Sequence, residues 1–362
     1  MSQSPFRVGL IGFGYAGQTF HAPLIQTTPG LQLAAVASSD PDKVHSLLGP
    51  GVQACDVATL MADDSLDLIV IATPNAQHHP LARQALLAGR HVVVDKPFTL
   101  TAAQADELVA LATARGRLLS VFHNRRWDSD FLAVQAVLAS DQLGRPVELV
   151  AHFDRYRPQV RQRWRESTDA GAGLWMDLGP HLLDQALQLF GEPAHIHLSL
   201  ATLRDQAVAD DWFAAQLQWP ASATQPGLRA HLQARTLAAL PGARWHVMGT
   251  QGALMIDGLD PQEDALKAGL RPDAGQPQAW GADARLARLA LAQPDGSLLP
   301  RTLPLPPGAY PQYYAGLREA MAGRAPLPVT PTQAARVQAW LDAGLRSAQT
   351  GTAQHPTPFT AA

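Results

Sequence analysis

One junction near the start of the chain limits the folds open to it. Arg7 to Ile11 reads as an apolar strand, and it passes without a spacer into Gly12-Phe13-Gly14-Tyr15-Ala16-Gly17. This is the GxGxxG spacing. The three glycines allow, in turn, a tight bend, backbone approach to a pyrophosphate, and close packing of the next helix. That helix directs its first N–H groups at the phosphates. A glycine-rich turn that only packs would look the same in isolation. Here the run follows a strand, opens a helical stretch and lies near the N-terminus, which is the context of a dinucleotide site. Gly12, Phe13, Gly14, Tyr15, Ala16 and Gly17 are therefore expected to hold a dinucleotide.

The stretch that follows repeats strand and helix. Leu31 to Ala37 is a second strand, ending in Ser38-Ser39-Asp40 about where a ribose is read. An NAD site usually wants an acid at the strand end. Serines leave room for a 2′-phosphate, with Lys43 supplying charge from the next helix turn, so Ser38, Ser39 and Lys43 favour NADP. Asp40 could instead serve NAD. Leu66 to Ala72 is a third strand, and its polar loop Thr73-Pro74-Asn75, with His78, is placed at the cofactor. His78 and His79 are adjacent and share no helix face, so they make no metal site.

His91 to Phe98, HVVVDKPF, is a buried strand ending in the charged pair Asp95-Lys96. Ligands of open α/β sheets bind outside the carboxyl ends of the strands, so both residues stand at the ligand edge. Pro97 restricts Lys96 to extended geometry and aims its amine. The plainer reading is a surface ion pair. Thr101 and Gln104 form a capping box for a helix reaching about Arg115, with Gly116 at its end. Leu118 to Phe122 is a further strand. The alternation predicts a doubly wound domain over residues 1–123.

At 362 residues the chain is too long for one ordinary core, so a second domain over 124–362 is expected. Longer strands with alternating polarity, Val147–Phe153, Ile196–Leu203, Trp212–Trp219, Leu228–Thr236 and Ala243–Met248, predict an open, mainly antiparallel sheet in an α+β domain. Asp128 is expected to cap a helix to about Ser140. Gly269 to Gln278 reads as a surface loop, and two helices, about 310–323 and 332–347, close the chain. The net charge of −3 and the lack of a basic block offer nothing to a nucleic acid, no apolar run reaches membrane-spanning length, and no signal-peptide pattern is present. The single cysteine, Cys55, excludes an intrachain disulfide. A cytoplasmic protein without membrane partners is expected.

Within the second part, Gly171 to Asp184, GAGLWMDLGPHLLD, carries chemistry. Pro180 reads as a first helical residue, with the helix starting near Gly179. Asp177, His181 and Asp184 then face one way. A carboxylate beside an imidazole fixes its tautomer and raises its basicity, giving a proton acceptor for neutral pH. The plainer reading makes Asp177 a helix cap and His181 a histidine at a domain seam.

GFGYAG, then VVVDKPF, then GxxxDLGPHLLD, in that order over essentially the whole chain, resembles the glucose–fructose oxidoreductase / inositol dehydrogenase / MocA family. SVFHNRRWDSDF, DRYRPQVRQRWRE and GLDPQEDALKAG resemble a bacterial subgroup that includes NADP-dependent scyllo-inositol dehydrogenases. The resemblance implies that Lys96, Asp177 and His181 are catalytic, with Asp95-Lys96-Pro97 standing where the family usually has Glu-Lys-Pro. It implies that Asn124 lies near nicotinamide and substrate, and that Arg163-Trp164 reaches over the cofactor. Substrate contacts are expected from Lys96, Asn124, Arg126, Tyr156, Asp177 and His181, with Arg157 among the residues that set specificity. The expected reaction moves a hydride between a secondary alcohol of a polyol or sugar and NADP or NAD, without a metal. The rivals are a glycosidase acting by transient oxidation with bound NAD, and a silent dinucleotide sensor. A homodimer or homotetramer is expected, formed through the open sheet.

Overall fold

The computed structural model describes residues 4–221, 227–273, 276 and 279–356. The first sheet is wholly parallel, in the order β3-β2-β1-β4-β5-β6. Its strands are β1 (Phe6–Ile11), β2 (Leu31–Ala37), β3 (Gln53–Cys55), β4 (Leu68–Ile71), β5 (His91–Val94) and β6 (Leu119–Val121). Every residue of β4 is buried, as are Val92, Val93 and Val94 of β5, so uninterrupted apolar runs become strands covered on both faces. Between the strands run α1 (Ala22–Gln26), entered through a π-helical turn at Gly17–His21, then α2 (Pro41–Leu48), α3 (Val57–Ala62), α4 (His78–Leu87) and α5 (Ala102–Arg115). The Thr101 side chain accepts from Gln104 N, and Gly116 ends α5 in the left-handed region at φ +58°. β3 and α3 are too short to show a periodicity in the sequence.

The second sheet is mixed and mostly antiparallel, in the order β14-β13-β12-β11-β7-β10-β9-β8. Its strands are β7 (Pro146–Asp154), β8 (His195–Ala201), β9 (Trp212–Trp219), β10 (Leu228–Arg235), β11 (Trp245–Gly249), β12 (Gly252–Ile256), β13 (Leu286–Ala292) and β14 (Leu298–Pro304). Only β7 and β10 pair in parallel. The helices here are α6 (Ser129–Ala139), α7 (Leu174–Phe190), α8 (Gln262–Lys267), α9 (Pro311–Met321) and α10 (Pro331–Thr350). Helices α7 and α10 cover one face of β8–β10, burying Ile196, Leu198, Phe213, Leu217 and Leu232. The other face carries His195, His197, Gln216, Gln218 and His231, all exposed or half-buried.

Two expectations are corrected. Helix α7 begins at Leu174, not near Gly179, and Pro180 lies inside it. Its first turn is capped from elsewhere: the Asp210 carboxylate accepts from Trp175 N at 2.7 Å and the Asp210 carbonyl from Leu174 N at 2.8 Å. Asp128 precedes α6 without capping it, because its carboxylate accepts from Tyr310 Oη at 2.8 Å and faces Arg125 at 3.4 Å. The loop expected over Gly269 to Gln278 falls partly outside the described residues, at 274–275 and 277–278.

The two sheets do not divide the chain cleanly. Tyr310, Tyr313, Tyr314, Leu317, Val329 and Ala334 are buried in the core of the first sheet. Ser120 donates to Val329 O at 2.8 Å and accepts from Tyr313 Oη at 2.9 Å. Among the described residues no helix is long and apolar enough to cross a membrane.

Candidate active site

The glycine loop follows from three steric facts. Gly12 has φ +96°, and a Cβ there would stand 2.5 Å from Ala72 O. A Cβ on Gly17 would stand 2.2 Å from Gly12 O, so the next turn can close on the strand only with glycine. At Gly14 a Cβ would meet nothing within 4 Å: this side of the loop is open. It opens into a cavity of about 620 Å³ between the carboxyl edge of the first sheet and the second sheet. Gly12, Gly14, Tyr15, Ala16, Thr73, Pro74, Asp95, Lys96, Asn124, Trp164, Asp177 and His181 all line it. Thr73 Oγ1 is buried there with no hydrogen-bond partner among the described residues. An open cradle at Gly14 and an orphaned hydroxyl at Thr73 fit a dinucleotide whose oxygens occupy this wall.

Lys96 leaves the end of β5 and reaches the first turn of α7. Its Nζ donates to Asp177 O at 2.7 Å and to Asp177 Oδ1 at 2.9 Å. Arg165 Nε lies 3.3 Å from the same Oδ1. Burial pushes the Asp177 carboxyl up, but the charges of Lys96 and Arg165 outweigh it and hold the group well below the usual carboxylate range. His181, one helical turn on, faces the same cavity and packs against the Phe153 ring at 6.5 Å. Burial, then the charges of Lys96 and Arg125, push His181 well below the ordinary histidine value. Its Nδ1 has no partner among the described residues. The expected Asp177–His181 pair is therefore corrected: the carboxylate serves two cations, and the imidazole is kept neutral by its surroundings rather than made more basic.

Several expected site residues lie elsewhere. Arg126 binds the Asp184 carboxylate with two bonds, at 2.6 and 2.9 Å, and also Gln333 and Pro328 O, so both charges are buried behind the cavity wall. Asp184 does not join Asp177 and His181. His78 is fully buried, with Nδ1 2.8 Å from Pro97 O and Nε2 3.0 Å from Thr73 O, where it ties two loops together. Asn75 donates to Gly171 O at 2.8 Å and links the two halves of the molecule. Phe13 is buried in the first core. Tyr156 is 60% exposed and lines a side chamber rather than the cavity. Ser38, Ser39 and Lys43 lie beyond the cavity at the surface end of β2, with Ser38 Oγ accepting from Asp40 N at 3.1 Å. Asp95, by contrast, does line the cavity, although it is buried with His21 Nε2 at 3.8 Å, and His21 Nδ1 is 2.7 Å from Tyr314 Oη.

The sequence reading named Arg157 for specificity but missed Arg155, Glu263 and Lys267, which line the cavity with it. Arg155 and Arg157 extend β7, where their N–H groups donate to Arg235 O and Thr236 O. Both line the main cavity as well as the side chamber, whereas Tyr156 lines only the chamber. Helix α8 brings Glu263, which accepts from Tyr15 Oη at 2.5 Å and Arg125 Nη2 at 2.6 Å, with Lys267 Nζ at 3.0 Å. Burial would raise Glu263, yet Arg125 and Arg155 hold it well below its usual range. Burial and Glu263 together push the Tyr15 hydroxyl up to about 12, so it remains a donor at neutral pH. Among the described residues no group of three His, Cys, Asp or Glu is arranged to hold a metal ion.

Residues 6–123 match the sequence model described as the GFO/IDH/MocA oxidoreductase family, NAD-binding Rossmann fold, and residues 131–255 match the GFO/IDH/MocA C-terminal domain. The chain is 48% identical to the uncharacterized oxidoreductase YdgJ of Escherichia coli, covering 95% of this chain and 96% of that one. It is 31% identical to the scyllo-inositol 2-dehydrogenase (NADP(+)) IolW of Bacillus subtilis, covering 95% and 94%. The solved structure of YPO2259 from Yersinia pestis superposes with a TM-score of 0.90 at 49% identity over 98% of each chain.

Proposed function

This chain belongs to the GFO/IDH/MocA oxidoreductase family, and from that premise we propose that it interconverts a secondary alcohol of a sugar or polyol and the corresponding ketone, with NADP preferred over NAD. The observation that carries the reading is the meeting of Lys96 from one sheet with Asp177 and His181 from the other, at the wall of the cavity that begins at the glycine loop. When bound, the nicotinamide ring takes up or returns the hydride. Lys96, Asp177 and His181 act on the proton and the oxygen. An ammonium has three donors, and Asp177 occupies two of those on Lys96. The third is available to the reacting oxygen, whose developing charge it stabilises. His181, neutral because it is buried among cations, accepts the hydroxyl proton. Asp177 holds Lys96 in place through its main-chain and side-chain oxygens. Trp164 and Asn124 flank the cavity and position substrate and cofactor.

Serines at the end of β2 support the NADP preference, and the Bacillus relative whose name specifies NADP supports it too. The name of that relative also favours a cyclic polyol. The same reading places a homodimer in the cytoplasm. The deciding experiment follows reduced-nicotinamide absorbance over a panel of polyols and sugars, with NAD and NADP run in parallel. Turnover of none of them with either cofactor would refute the reading.

A further inference from the structure

The cavity wall is strongly and unevenly cationic. Eight lysine and arginine side chains line it against three carboxylates, Asp95, Asp177 and Glu263. Those carboxylates are already engaged. Asp177 serves Lys96 and Arg165. Glu263 serves Arg125, Lys267 and Tyr15, and Arg155 reaches it only at 3.9 Å. Asp95 is turned into the core beside His21. Arg163 is neutralised by Glu166. Among the described residues neither the Arg157 nor the Arg161 guanidinium has an ion pair or a hydrogen-bond acceptor. Arg157 is only half-exposed, and burial together with its neighbours Arg155, Arg161 and Arg163 pushes it down to about 10. A partly desolvated guanidinium that faces like charges across a cavity is costly unless an anion joins it.

We propose that the substrate is anionic, and that Arg155 and Arg157 receive its carboxylate or phosphate group beside Lys96. The proposal deepens the hydride-transfer reading, on which it rests for the identity of the ligand in this cavity. Placement favours the substrate over the cofactor phosphates. Both arginines continue β7 of the second sheet, not the glycine loop. Arg155 is among the charges that depress Asp177, Asp177 in turn acts on Arg157, and both arginines line the same cavity as the Lys96–Asp177 pair. The Arg155 guanidinium lies 4.9 Å from the centre of the Phe153 ring, the ring against which His181 packs. A side chamber of about 250 Å³ shares Arg155 and Arg157 with the main cavity, leaving room for a substituent beyond the reacting carbon. Guanidinium groups suit planar carboxylates and phosphates through paired N–H donors.

The test uses protein saturated with NADP and matched ligands: D-glucose, D-glucuronate and D-glucose 6-phosphate, then further neutral and acidic sugar pairs, titrated by calorimetry. At least one acidic member should bind about tenfold or more tighter than its neutral partner, as one charge-assisted contact implies. The glucuronate and phosphate arms separate the two anion types. Arg157→Gln should abolish the preference, Arg157→Lys should restore part of it, and NADP affinity should stay within about twofold. No preference in any pair, or a preference untouched in Arg157→Gln, overturns the proposal. So does a loss confined to NADP affinity, which would assign the cations to the cofactor phosphates. Hydride transfer from neutral and acidic partners to NADP at equal kcat/KM overturns the anionic substrate and leaves the dehydrogenase standing. Selective acid binding without hydride transfer from any member does the reverse.

Discussion

Lys96 Nζ is bound twice by Asp177, at 2.7 Å to its main-chain oxygen and at 2.9 Å to Oδ1. The pair fastens a strand end of the parallel sheet to the first turn of a helix that packs on the other sheet. A side-chain contact to a main-chain oxygen leaves little freedom in where the ammonium stands. Its position relative to the glycine loop is therefore set by the fold and not by a rotamer.

Replacing Lys96 with Met keeps the approximate shape and removes the charge. Steady-state kinetics should show kcat lowered by roughly 10²–10⁴, the range for lost electrostatic or proton-transfer help. Cofactor affinity, read by fluorescence titration, should change little. Near-normal turnover in a folded Lys96→Met protein would remove the lysine from the chemistry.

His181 should set the acidic limb of the pH profile. The wild-type limb in kcat/KM should lie well below pH 6.5, because burial and the neighbouring cations resist protonation of the ring. His181→Ala should lack the limb. In Lys96→Met the residual activity should show the limb at higher pH, since the largest charge opposing protonation is gone. A limb that stays in place in both variants belongs to another group.

Cofactor choice should turn on Ser38, which is exposed or half-exposed at the end of β2 with its neighbour Ser39. Ser38→Asp should repel a 2′-phosphate and raise KM for NADP while sparing NAD. A wild-type kcat/KM that is higher with NAD contradicts the preference.

Acid stability should depend on His123. Burial holds this ring down to about 4, and neither of its nitrogens has a partner among the described residues. An unfolded histidine binds its proton near pH 6.5. Between those values the unfolded chain carries more protons than the folded one, so stability is intact above pH 6.5 and falls as the pH drops toward 4. The full loss is about 3 kcal/mol for this residue. His123→Leu should flatten the fall, as judged by urea midpoints at pH 7 and pH 5. An equal fall in variant and wild type would assign the effect to other groups.

Assembly should follow from the second sheet. One face is covered by α7 and α10, while the other presents His195, His197, Gln216, Gln218 and His231. A face of this breadth should pair with its copy across a two-fold axis. Light scattering at micromolar concentration should give twice or four times the chain mass, and a monomer mass rules the pairing out.

What the sequence could show depended on where the stabilising partner sat. β2 and β9 were legible to the residue because their patterns are local, and α5 because Thr101 and Gly116 mark its ends. The start of α7 was hidden because its cap, Asp210, arrives from a distant loop, and Pro180 suggested a false beginning. Lys96, Asp177 and His181 were legible as a set through a family resemblance, but their pairing was not. Spacing alone joins Asp177 to His181, whereas charge joins it to Lys96 and Arg165. Arg126 and Arg125 are adjacent and chemically alike. Only tertiary structure shows that the first is sealed against Asp184 while the second reaches the cavity. Tyr156 lines only the side chamber, while Arg155 and Arg157 on either side of it reach the main cavity, a difference that only the tertiary structure shows.

The aromatic side chains that close the parallel sheet come from α9 and the turn before it. Tyr313 and Tyr314 cover Phe122, Tyr310 packs on Phe20, and the hydroxyl of Ser120 is satisfied only when Val329 and Tyr313 are in place. During synthesis the glycine loop and all the parallel strands emerge long before these residues do. The nascent nucleotide-binding half must therefore persist with an apolar flank and an unpaired serine until the last helices leave the ribosome. A premature stop that spared every cofactor contact in that half would still leave it unsealed.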